Sequence, residues 1–69
     1  MTDFGTRLKE VLEERGMTYE DLAEKAYMSK MAICHYIKND VLPTADNLKA
    51  ICLALNVSSD YLLGLEVPK

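Results

Sequence analysis

The chain has 69 residues, a net charge of −3 and two cysteines, Cys34 and Cys52. That is room for one small domain, which buries only about 60% of its unfolded surface and is marginal alone. No apolar run reaches the roughly 20 residues that cross a bilayer, MTDFGTRLKE lacks the apolar core of a signal peptide, and neither cysteine sits in a CxxC pair, so the expectation is a soluble, cytoplasmic protein with free thiols.

The first predicted helix runs from about Asp3 to Arg15. Phe4, Leu8, Val11 and Leu12 follow i, i+4, i+7 and i+8 along one stripe. Gly16 ends it as a C-cap. Thr18 opens TYED, a hydroxyl followed three residues later by an acid, which predicts a capping box with Asp21 in the usual Glu or Gln place. A short second helix follows, about Tyr19 to Lys25. Ser29 caps a third, Lys30 to Lys38. Thr44, after Pro43, caps a fourth that ends near Leu55 and Asn56, and Ser58 caps a fifth that ends at Gly64. No window alternates with period two for long enough to make a strand. The predicted fold is all-α, five short helices over residues 1–65, with residues 66–69 as a C-terminal tail.

Charge is unevenly spread. No acid lies between Glu24 and Asp40, where Lys25, Lys30 and Lys38 make a local basic island. The acids gather in Glu10, Glu13, Glu14, Glu20, Asp21 and Glu24, spaced as solvated helix faces rather than as an acid–base pair. A net acidic chain argues mildly against a nucleic-acid partner, whereas the island argues for one. Chance clustering is the bland alternative.

The short connection between the second and third helices suggests a helix-turn-helix. The stretch MTYEDLAEKAYMSKMAICHYIKNDVLPTADNLKAICLALNVSSDYLLG resembles the phage-repressor (Cro/repressor-type) helix-turn-helix family. The resemblance spans Phe4 to Leu65. Its marks are Ala23, Ile33, the LP after the third helix and the closing LALNVSSDYLLG; each is weak alone, and together they are strong. It implies a lambda-repressor-like DNA-binding domain and a sequence-specific transcriptional regulator, a repressor by preference. It also implies a homodimer on a palindromic double-stranded DNA operator, in a prophage or mobile element.

Helical spacing turns Ile33, Tyr36 and Ile37 inward with Met28, leaving Lys30, Met31, Cys34, His35 and Lys38 outside. The family's base-reading positions fall here on Lys30, Met31 and His35. Lys30 can donate to guanine, His35 to guanine or to a phosphate, and Met31 can lie against a thymine methyl. Tyr19, Ser29, Lys38 and Asn39 are expected at phosphates. Tyr19 holds the family's glutamine position, where a phenol cannot brace a neighbour as an amide does. Ala32 is expected near the groove wall.

Two departures from the family stand out. Tyr27 holds the turn position usually given to Gly, where φ is positive and a side chain costs about 1 kcal/mol or more. Either Tyr27 is strained there or the turn is built differently. Its ring is either a contact for DNA or a partner, or a tolerated surface group. Leu12 and Ile37 replace the family's Arg–Glu pair, apolar for ionic, and are expected to touch; such a swap is often neutral or stabilising.

Neighbouring Cys34 and His35 point about 100° apart with no further ligands, so no metal is expected. Cys34 fills a gap or acts as a redox switch; Cys52, Val57 and Leu63 are assigned to the core. With one His, no nucleophilic set and no cleft, the chain is not expected to be an enzyme, nor to need a cofactor or small-molecule ligand. Tyr61, Leu62, Leu65 and Val67 are read as a dimer surface, with the end of the core as the alternative. A second functional reading is a protein-interaction module on this scaffold, such as an antitoxin.

Overall fold

Three of the four helix connections use one device, readable as GMT, YMS and NVS. In a computed structural model, which describes residues 4–39 and 41–65, these join α1 (Phe4–Arg15), α2 (Tyr19–Ala26) and α3 (Lys30–Lys38), and α4 (Ala45–Leu55) to α5 (Ser59–Leu63). The first residue of each triplet is left-handed: Gly16 at φ 63°, Tyr27 at 57° and Asn56 at 55°. The second is apolar and half-buried against the core: Met17, Met28 and Val57. Its N–H reaches back to an orphan carbonyl of the helix just ended, on Leu12 (2.9 Å), Ala23 (2.8 Å) and Cys52 (3.1 Å). The third is a hydroxyl that caps the next helix. Thr18 accepts from the Asp21 N–H (3.0 Å), and Ser29 and Ser58 accept from Ala32 and Tyr61 (3.1 Å each). Each cap is worth about 0.5–2 kcal/mol. Thr44 caps α4 in the same way, at Asn47.

The helix bounds follow these signals. α2 extends one residue beyond the expected end, to Ala26, because the left-handed residue that stops it is Tyr27. Asp3, the expected first helical residue, lies outside the described residues, as do Asp40 and 66–69. Among the described residues there is no strand.

All five helices feed one core. Phe4, Leu8, Leu12, Leu22, Ile33, Ile51, Leu55 and Leu62 are essentially inaccessible to solvent. Burying each is worth about 1.5–3 kcal/mol. Phe4 meets Tyr36 edge-on, centroids 6.1 Å apart and rings at 78°. The Tyr36 hydroxyl accepts from Asn47 Nδ2 (3.0 Å), tying α3 to α4. Arg15 donates to the Leu55 carbonyl, linking the ends of α1 and α4. Leu12 is buried and Ile37 packs half-buried on the same core, and neither brings a charge into it.

The depth of α3 is set by Gly5. A Cβ there would stand 2.7 Å from the Tyr36 carbonyl oxygen and 2.9 Å from that of Ile37. Only a residue without a side chain lets α1 and α3 approach so closely.

Candidate nucleic-acid interface

α3 is amphipathic, and packing against α1 and α2 fixes which face it shows. Ile33 is fully buried and Tyr36 nearly so, while Lys30, Met31, His35, Lys38 and Asn39 are exposed. Met31 is 80% exposed, a high value for a large apolar side chain. Met31, Cys34, His35, Lys38 and Asn39 line one shallow hollow on this face. Cys34 is half-buried there, and Ala32 packs half-buried against the core.

The exposed residues are not independent. Lys30 Nζ donates to Glu20 Oε1 at 3.1 Å, across the gap from α3 to the start of α2. With the side chains 57% and 73% exposed, this pair is worth only about 0–1 kcal/mol to stability. The basic island expected from the linear sequence is therefore partly neutralised by an acid ten residues upstream. His35 Nδ1 lies 2.6 Å from Asn39 Nδ2. In this pairing the amide nitrogen is the donor and Nδ1 the acceptor, which leaves Nε2 as the ring nitrogen not engaged with Asn39.

The phosphate candidates differ in what they offer. Lys38 stands exposed in the last turn of α3. The Ser29 hydroxyl accepts from Ala32 N–H and keeps its own O–H to donate. Asn39 is engaged with His35. Tyr19 is half-buried against the core. Tyr27 takes up the left-handed geometry with its side chain 95% exposed; the turn is the expected one, carried by an unfavourable residue. Another hollow, lined by Met17, Asp21, Glu24 and Lys25, sits on α2 and uses none of the α3 residues.

The dimer surface expected at Tyr61, Leu62, Leu65 and Val67 loses Leu62. Leu62 is fully buried, so it belongs to the core and cannot present its side chain to a second chain. α5 is held on α1 and α4, and in so short a helix the residue facing both is enclosed. Tyr61 is half-buried with the Arg7 guanidinium 5.5 Å over its ring. Leu65 remains 63% exposed, and Val67 lies outside the described residues. Leu53, which helical spacing did not single out, is 72% exposed.

Helix α2, a tight turn and a solvent-facing α3 on an all-α core are the arrangement matched by the sequence profile of a helix-turn-helix family, over residues 8–62. The chain belongs to the helix-turn-helix family. It is also similar to the HTH-type transcriptional regulator ImmR of Bacillus subtilis (strain 168), at 37% identity over 60 residues, which is 87% of this chain. The chain spans about half of that relative's length, 47%. The helix-turn-helix match includes α2, α3 and α4 entire, so it covers every residue of the exposed α3 face. No helix among the described residues is long and apolar enough to cross a membrane.

Proposed function

We propose that this chain is a sequence-specific DNA-binding transcriptional regulator that lays α3 in the major groove. The observation that carries this reading is the outward face of α3, which holds Lys30, Met31, His35 and Lys38 in solvent while Ile33 and Tyr36 anchor it. A helix is about 10–12 Å wide with its side chains, and the major groove is about 12 Å wide. Lys30 donates to guanine, Met31 meets a thymine methyl, and His35 donates through Nε2 to a base or phosphate acceptor. Lys38 and the Ser29 hydroxyl take phosphates, with Tyr19 and Asn39 at the edges. With few hydrogen-bonding side chains, much of the selectivity comes from methyl contacts and shape.

The regulator acts in the cytoplasm as a repressor, as a homodimer on a palindromic operator of a prophage or mobile element. Exposed Leu65 and half-buried Tyr61 support a contact surface near α5, and a dimer would place two α3 helices about 34 Å apart. The test is selection from random DNA with the purified chain, then binding of the best site at two salt concentrations. Expected are an enriched palindrome, a steep loss of affinity with salt, and weaker binding by Lys30→Ala and His35→Ala. No enrichment and a flat salt response would instead favour the protein-interaction reading, with Leu53 and Leu65 as the surface to probe.

A further inference from the structure

The Lys30–Glu20 pair has no evident structural purpose. Both side chains are mostly in solvent, at 57% and 73% exposure, and ion pairs so exposed add little to stability. Its effect is on where Lys30 points. A lysine at the head of a helix facing DNA has a flexible four-carbon stem, and phosphates on either side of the groove compete for it with the bases. The Glu20 carboxylate takes one of the three Nζ protons at 3.1 Å and leaves two to donate elsewhere. Glu20 is itself held at the start of α2, where the helix dipole favours a carboxylate. A carboxylate at the rim also repels phosphate.

We propose that Glu20 is a positioning residue for specificity: it withholds Lys30 from the phosphate backbone and fixes its ammonium toward the paired acceptors O6 and N7 of one guanine. This rests on the α3 reading above and goes beyond it by assigning a role to a residue of α2. The cost is weaker binding to DNA of any sequence, because one cation is part-neutralised and one anion added at the interface. The gain is preference at one base pair.

The experiment measures binding of the unaltered chain, Glu20→Ala, Glu20→Gln, Lys30→Ala and the Glu20→Ala/Lys30→Ala double variant. The probes are the selected site, the three single-base replacements of each of its guanines, and random-sequence duplex, over a range of salt. Glu14→Gln is the charge control; it removes one acid beside Val57 and Tyr61, on the α1 and α5 side rather than at α3. Lys30→Ala identifies the guanine that Lys30 reads. At that position alone, Glu20→Ala should cut the preference about tenfold, and Glu20→Gln, which still accepts from Nζ, should restore part of it. On random duplex, Glu20→Ala should bind tighter, with a salt slope steeper by about one counter-ion as Lys30 turns to a phosphate. In preference at that guanine the double variant should match Lys30→Ala, because Glu20 acts there only through Lys30. Equal changes on all sequences, the same gain from Glu14→Gln, or additive losses in the double variant would each overturn the proposal while leaving α3 as the reader. Failure of the unaltered chain to bind DNA even at low salt would remove the α3 reading, and this proposal with it.

Discussion

The two faces of α3 answer to different rules. On the inner face Ile33 and Tyr36 are sealed where α3 packs on α1 and α2, and a polar handle, the Tyr36 hydroxyl, is used to tie α3 to α4. On the outer face Met31 stands 80% exposed, and the polar groups are tied to neighbours on their own side: Lys30 to Glu20, His35 to Asn39. The inner face determines whether the domain folds. The outer face determines what a folded domain touches, and its internal pairs cost almost nothing in stability.

The sharpest way to break that division is Ile33→Ala. It should destabilise the domain by about 2–5 kcal/mol, measured by denaturant unfolding, while the fraction still folded keeps its DNA affinity. A matching loss of affinity per folded molecule would mean the faces are coupled. Gly5→Ala comes next. The new Cβ meets backbone oxygens of Tyr36 and Ile37 at 2.7 and 2.9 Å, so α3 must shift, at about 1–3 kcal/mol. A thermal melt should fall by roughly 4–8 °C for each kcal/mol in a domain this size. Unlike Ile33→Ala, this change should also weaken binding, because it moves the outer face bodily.

Tyr27→Gly tests the turn between α2 and α3 against its two siblings. Gly16 and Asn56 suit the left-handed conformation, and Tyr27 at φ 57° does not. The substitution should raise stability by roughly 0.5–1 kcal/mol with unchanged DNA binding; a drop in binding would give the exposed ring a contact of its own. The smallest effect concerns Asp21. The Thr18 backbone N–H, and after it the Thr18 hydroxyl, lower its carboxyl from the ordinary value of 3.8. Folding therefore favours the carboxylate: the contribution is complete above the ordinary value and is lost as pH falls through the lower folded one. Asp21→Asn should be less stable than the parent near neutrality, with the two melting curves converging in acid. A gap that widens as pH falls would contradict the capping box as its source.

Much of this was legible in the linear chain because its signals are local. Capping hydroxyls, left-handed stops and the Phe4–Leu8–Leu12 stripe act within about one to three helical turns, so they can be read without a fold. The bounds of α3 and the capping box at Thr18 came out as expected. Leu62 was misassigned because a five-residue helix has too little periodicity to say which leucine faces in. Glu20 was missed as the partner of Lys30 because only the docking of α2 against α3 brings residues ten apart to 3.1 Å. Gly5 gave no signal either, since its role depends on what lies across from it.

The sequence by itself determined, to within a residue, where α2 to α5 start and stop, and it determined that Lys30, Met31, His35 and Lys38 are left for solvent on α3, because those follow from backbone chemistry and a 3.6-residue period. Tertiary structure alone decided how deeply α3 sits, which charges at its head are already paired and which residues of α5 are enclosed, because those depend on distances between segments that the chain brings together only when its core closes.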